Sequence, residues 1–540
     1  MTRNRWAVAG GAGFLLLLAS FGAAPRPVRA APSDGGTLLV RLLEDPRLDY
    51  ATTFDPDSWA IAYATCANLM TYPDQNGRLG ARPTPEGAVA YPAVARDGRR
   101  YTFRIRPDLR FENGAAVTAA NYAAALNRDL DPATRSPGSD YLRDIVGADA
   151  VASGKAAQAS GVTARGRTLV IRLEAPSPDL VSRLAMPFFC PIPLDLPHDP
   201  DAVDALPASG PYFVAEHDPN QAITLERNPF YRGSRPHHAS RILFSIGGNP
   251  KENFEAVEQG RVDVTDSAPP DPVLPRLLRQ YRLNGARLFS VPALATRLLA
   301  LNSARPLFRD NARLRRAVNE ALDRRALVET LGEVHGPSTD HLLPTVAPGF
   351  TPARIYPLRR ADLPAARRLA RGHRRSARAV LFTRSDPDAV LRAEIVKHDL
   401  DRIGITVEIK VFAADVLLEK ITRRGAHFDI ADVTWFSDFG DPTDFLKALV
   451  DGRGIRARNN SDMAYFDDPA YDRQIEATSR LEDAARYRAL GRLDVRIMRN
   501  AAPYVPYASP TGVLFVSKRV GCVVRHPYFL RDYGAFCLKG

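Results

Sequence analysis

AVLFTRSDPDAVLRAEIVKHDLDRIGITVEIKVF, residues 379–412, decides the fold class. Ala379–Thr383 is an apolar run of strand length. Leu391, Ile395, Val396, Leu400 and Ile403 then recur at the spacing that gathers side chains on one face of a helix. Gly404 stands where a glycine just past the last turn ends a helix. Ile405, Val407, Ile409 and Val411 alternate with Thr406, Glu408 and Lys410, the period of a strand. Strand, helix, strand is the crossover that joins parallel strands. The segment therefore predicts a partly parallel sheet with helices on both faces, an α/β fold.

On the C-terminal side, the pattern continues as a helix over Asp415–Ile421 and a strand over Phe428–Val433. Upstream, Thr102–Arg106 and Thr168–Leu173 alternate as half-buried strands do, and Ala222–Glu226 and Ile242–Ile246 are further strands. Internal repeats and long low-complexity linkers are absent, and the proline-rich patches at 187–200 and 269–275 read as local turns. The chain reads as α/β lobes joined closely.

A length of 540 residues is worth three or four domains of ordinary size. Apolar content of 45% and charged content of 25% exclude wholesale disorder. Arg3 and Arg5, the apolar run Phe14–Leu18 and the small-x-small triplet Val28-Arg29-Ala30 read as a secretory signal peptide cleaved near Ala30, with a single anchoring helix as the alternative. No cysteine near residue 31 offers a lipid anchor. The leader carries four arginines and no acid, so its removal takes the net charge from +12 to +8. No later segment has eighteen uncharged apolar residues in a row, as a membrane span would need.

Export permits disulfides. Cys522 and Cys537 make one pair and Cys66 and Cys190 the other, with four buried thiols as the alternative. No C-x-x-C exists for zinc or redox chemistry, and no G-x-S-x-G, H-E-x-x-H, Walker A or G-x-G-x-x-G occurs in the mature chain. The close histidines are His237-His238, which point to opposite faces of a strand, and His335 with His341. No metal and no cofactor is implied. Arg354–Arg378 holds nine arginines and one acid, but only Tyr356 for base stacking, so a solvated helix face is the better reading than a nucleic-acid surface.

Blocks spread in order along the mature chain resemble the family 5 extracellular solute-binding proteins of ABC importers, the oligopeptide, dipeptide and nickel group. Leu48–Pro73 is the first, with Asp55-Pro56 and a helix at Cys66–Tyr72. Tyr101–Pro107, Phe111–Gly114 and Val117–Ala119 follow, then Ser209–Tyr212 with Arg227–Tyr231. Leu301-Asn302, Asp310, Arg316–Asn319 and Ala321–Arg324 resemble a helix of the family, and Ile403–Ile405 and Trp435–Leu446 complete the series. The resemblance implies a type II periplasmic-binding fold. Residues 31–290 would form one lobe with an inserted subdomain, 291–508 the second lobe, and 509–540 a return to the first. Two crossings, near Ser290–Leu294 and Tyr507–Gly512, would form a hinge around a ligand cleft.

The same resemblance implies that Asp438, three residues after Trp435, pairs with a peptide's α-ammonium. The local alternative is a turn or cap residue before Gly440-Asp441-Pro442. Trp435 and Phe436 would wall the cleft, or Trp435 is core. Arg423 and Arg424 fall where some peptide binders carry a cation for the ligand carboxylate; the local alternative is a solvated helix end. Asp432 departs from an arginine found nearby in oligopeptide binders. Asn68 would lie on a cleft-facing helix. The implied function is a monomeric periplasmic receptor that passes a small peptide to its ABC permease in the inner membrane. It binds no nucleic acid and is not an enzyme. The alternatives are the same fold holding a nickel chelate, haem, oligosaccharide or opine, and a secreted hydrolase.

Overall fold

In a computed structural model, the segment 379–412 forms the expected crossover. The strand Arg378–Arg384 leads into the helix Pro387–Asp401 and returns as the strand Thr406–Phe412. The two strands pair in parallel, from Arg378 opposite Thr406 to Arg384 opposite Phe412. The structure describes residues 32–539 apart from Glu333 and His335. The leader expected at 1–30, its cleavage near Ala30 and the pairing of His335 with His341 lie outside the described residues.

Local chemistry sets both ends of this helix. The Asp386 carboxylate accepts the Ala389 amide at 2.9 Å, and Pro387 opens the first turn, where no amide is needed. At the other end Gly404 takes φ +79°, a conformation that costs glycine little. The buried row is Ala389, Ala393, Val396 and Leu400, with Ile403 beyond it. Leu391 is not part of it. At 3.6 residues per turn it lies on the opposite face from Ala393 and Leu400, and it is 53% exposed. Arg392 is buried instead, its guanidinium 3.1 Å from the Asp432 carboxylate on the neighbouring strand.

The full sheet has five strands, in the order Thr406–Phe412, Arg378–Arg384, Ile430–Phe436, Ala295–Leu301 and Tyr504–Ala508. The first three are parallel and the last two antiparallel to their neighbours. Thr406–Phe412 is the edge, which leaves Val411 exposed. Every strand of this sheet comes from residues 295–508.

A second five-stranded sheet has the order Val264–Thr265, Thr37–Leu42, Arg241–Ile246, Ala222–Arg227 and Tyr212–Asp218. A four-stranded antiparallel sheet, built from Ala93–Val94, Arg100–Arg104, Thr168–Arg172 and Val162–Arg165, is inserted within its sequence. Between the two large sheets the chain crosses as adjacent antiparallel strands, Leu288–Pro292 against Thr511–Phe515, with Val291 opposite Gly512. The C-terminal strand Cys537–Lys539 then pairs with both Val520–Cys522 and Pro32–Ser33.

Both expected disulfides form. Cys522 and Cys537 face each other across paired strands, with Cα atoms 4.9 Å apart. Cys66 and Cys190 are 5.8 Å apart at Cα and join the end of the helix Pro56–Thr65 to the turn Pro187–Phe189. That helix starts at Asp55, whose carboxylate accepts the Asp57 and Ser58 amides. It stops at Thr65, because Cys66 is extended. The helix expected at Cys66–Tyr72 is therefore one segment too late in the chain; only the short strand Met70–Thr71 lies there. All nine arginines of Arg354–Arg378 are exposed, and none forms an ion pair among the described residues.

Candidate functional site

The strand Ile430–Phe436 ends at a turn, Ser437–Pro442, that leads into the helix Thr443–Val450. Ser437 still donates its amide to the Leu294 carbonyl at 2.8 Å, beside the crossing strands. The turn then leaves its own lobe. Phe439 is buried in the hydrophobic cluster of the first lobe, among Tyr63, Tyr72 and Phe188. The Gly440 amide donates to the Tyr72 hydroxyl at 2.6 Å. A Cβ at Gly440 would fall 2.5 Å from the Ala81 carbonyl oxygen, so only glycine permits this approach.

Asp441 fastens the turn. Its carboxylate accepts both guanidinium nitrogens of Arg486, at 2.7 and 2.8 Å, and the Thr443 amide and hydroxyl at 3.0 and 2.7 Å. Arg486 and Asp441 are both buried. Such a fork-to-fork pair fixes orientation as well as position.

Asp438 is different. It is half-buried, and its amide donates to the Asp444 carboxylate at 3.0 Å while its carbonyl accepts the Tyr528 hydroxyl. The Tyr141 hydroxyl lies close to its own carboxylate, and no cation pairs with it among the described residues. Burial pushes the Asp438 carboxyl up to about 6, and the Tyr141 hydrogen bond only partly offsets this. Asp444 is fully buried. With the Asp438 charge beside it, its carboxyl is held well above the usual range, although Trp435 donates its indole N–H to it at 3.3 Å. Tyr141 is placed by Arg183, which donates to the Tyr141 carbonyl and pairs with Asp144 at 2.7 Å.

The other residues singled out from sequence fall as follows. Trp435 is half-buried, against Asp444 and the second-lobe core. Phe436 is 62% exposed beside Asp438 in the chain. Arg423 and Arg424 are exposed in the turn after the helix Ala414–Ile421. Asn68 is not on a helix. Its side-chain amide donates to the Ala185 and Met186 carbonyls at 3.3 and 3.0 Å, and it is buried. Asp432 is structural, holding Arg392 and accepting the Tyr507 hydroxyl at 2.8 Å. His237 bonds the Arg235 carbonyl and His238 pairs with Asp34. No group of three metal-ligating side chains occurs among the described residues.

Tyr141, Tyr528 and Asp444 escape a reading of the sequence. Asp444 alone had a signal, since it lies within the block Trp435–Leu446 and six residues after Asp438. The tyrosines come from distant segments and carry no local mark.

Residues 82–456 match the family described as bacterial extracellular solute-binding proteins, family 5, middle. The chain belongs to that family. Among its family 5 relatives is the probable deoxycholate-binding periplasmic protein YgiS of Escherichia coli K12, 26% identical over 76% of this chain and 77% of that protein. The dipeptide-binding protein DppE of Bacillus subtilis 168 is 24% identical over 88% of each. Among solved structures, clavulanic acid biosynthesis oligopeptide binding protein 2 superposes with a TM-score of 0.84, at 26% identity, over 95% of this chain and 97% of that one. The family 5 relatives are named as binding proteins, and the fold is that of the periplasmic binding proteins.

Proposed function

We propose that the chain is a periplasmic receptor that encloses a small peptide between its two lobes and passes it to an ABC permease. It would be exported by its leader and act as a monomer. The observation that carries this reading is Asp438, a shielded carboxylate without a cation at the junction of the lobes. A ligand ammonium supplies the missing charge and displaces the Tyr141 hydroxyl or joins it. Such a charge-assisted bond is about twice as strong as a neutral one. The crossing strands Leu288–Pro292 and Thr511–Phe515 serve as the hinge, with 31–290 and 509–540 on one side and 291–508 on the other. Closure is then driven by the ligand's greater affinity for the closed form.

The name of the bile-acid relative suggests a second ligand class, but an anion fits poorly here. Its carboxylate would meet the ionised Asp438, and like charges at such a site repel. The test is mass spectrometry of solute released from protein purified without denaturation, followed by calorimetry with a tripeptide library. Released peptides and a stoichiometric heat are expected. Absence of both, or steady cleavage of the peptides, sinks the proposal.

A further inference from the structure

The three parallel strands of the second lobe begin at one pole of it and end at the other. Arg378, Thr406 and Ile430 start them, and the last runs to Phe436 and the turn that holds Asp438. Seven strand residues at about 3.3 Å each set the two poles roughly 20 Å apart. The helices Leu363–Ala370, Pro387–Asp401 and Ala414–Ile421 each end just before one of these strands begins. Arg371 and Arg402 follow the first two helices, and Arg423 and Arg424 follow the third. Arg374 lies over Gly404, where a Cβ would fall 2.3 Å from its guanidinium. Arg375 donates to the Pro306 carbonyl, and Arg367 to the Arg402 carbonyl at 3.0 Å, which draws the loop at 306 to the same end. The Arg424 amide donates to the Ala457 carbonyl at 3.1 Å and so brings in Arg456 and Arg458.

All of these arginines are exposed, and among the described residues only Arg402 has an acid in reach, Asp399 at 3.8 Å. Across the segments 305–313, 367–378, 402–406, 422–429 and 455–460, Asp310 is the one exposed acid. Neither phenylalanine in them, Phe308 or Phe428, reaches the surface. Helix carbonyl ends favour cations, but only within the last turn, and several of these arginines stand beyond it. Like charges gathered without partners repel one another, and an anionic surface relieves that repulsion. A protein partner would call for an apolar or aromatic centre, and a nucleic-acid strand for rings to stack on; this pole offers neither. We propose that it docks on a bilayer bearing anionic phospholipid headgroups, held by charge and without insertion. The inference goes beyond the peptide-receptor reading and does not depend on it, since Asp438 lies at the opposite ends of the strands. Docked in this way, the chain keeps that turn clear of the membrane.

Sedimentation of the full mature chain with lipid vesicles tests this. Vesicles of phosphatidylcholine with about one-third phosphatidylglycerol should bind the chain at low salt, and about 0.5 M salt should release it. Pure phosphatidylcholine should not bind it. Replacing Arg371, Arg374 and Arg458 together by Glu should weaken binding to the anionic vesicles at least ~10-fold, and replacing them by Gln should weaken it less. Arg96, Arg99 and Arg100 are exposed in the first lobe, without ion pairs among the described residues. Their replacement by Glu makes the same change in net charge and should leave binding within about twofold of the wild type. No binding to the anionic vesicles, equal binding to the neutral ones, or an equal loss in the two Glu variants overturns the docking pole. Tighter binding of duplex DNA than of the vesicles at the same salt, lost in the Arg371, Arg374 and Arg458 variant, overturns it in favour of a nucleic acid.

Discussion

Asp441 and Asp438 lie three residues apart in one turn, and their environments are opposite. Asp441 is buried and fully answered by Arg486 and Thr443. Asp438 is shielded, yet among the described residues no cation pairs with its charge. A protein built only for stability would treat both alike. The difference separates the end of the turn that holds position from the end that awaits a charge.

The most direct way to break the comparison is at the anchored end. Arg486→Met leaves Asp441 buried and unpaired, so the loss of stability should be about 3–5 kcal/mol, read from urea unfolding. A loss below about 1 kcal/mol would mean that Asp441 is as tolerant of isolation as Asp438. At the other end, Asp438→Asn keeps the shape and removes the charge. Peptide affinity should fall about 100-fold by calorimetry, near the ~3 kcal/mol of a charged hydrogen bond. The same variant should melt at or slightly above the wild-type temperature without ligand, because the raised carboxyl means that its ionised form opposes folding.

The sign follows from that raised value. With a folded-state carboxyl at about 6, above its ordinary 3.8, Asp438 contributes most to folding when protonated, and that contribution fades as pH rises through about 6. Ligand binding runs the other way. Since the ammonium needs the carboxylate, affinity should drop as pH falls below about 6, approaching tenfold per unit, and Asp438→Asn should flatten the profile. The smallest effect belongs to Asp444→Asn. It keeps an oxygen for the Asp438 amide and the Trp435 indole and replaces a carboxyl that is already neutral when Asp438 titrates, so the midpoint of that profile should move by less than about half a unit. A downward move of about a unit or more would show that Asp444 carries charge beside Asp438.

The crossover at 379–412 was legible because its strands and helix are local and their periods differ. Leu391 misled because its spacing from Leu400 is two and a half turns, which puts it on the opposite face from the buried Ala389, Ala393, Val396 and Leu400. The helix at Cys66–Tyr72 failed for a different reason. A cysteine in a long-range disulfide takes the backbone shape its partner requires, and no local signal reports that. Asp438 could be singled out by its spacing from Trp435, but its isolation from cations could not, since that depends on what Arg183, Arg486 and other distant cations pair with instead. The rings of Tyr141, Phe188 and Tyr528 meet in one core cluster from distant segments, which no window of sequence contains.

The pairing of Cys537–Lys539 with Pro32–Ser33 bears on the order in which the molecule folds. The sheet of residues 295–508 closes by pairing Arg297 with Ala508, a shorter reach along the chain. The first lobe depends on strands some five hundred residues apart, and contacts so distant make folding slow. The late arrival of residues 511–539, rather than the crossover helix, sets when this lobe is complete. The last disulfide, Cys522–Cys537, then acts as a clasp that records the event.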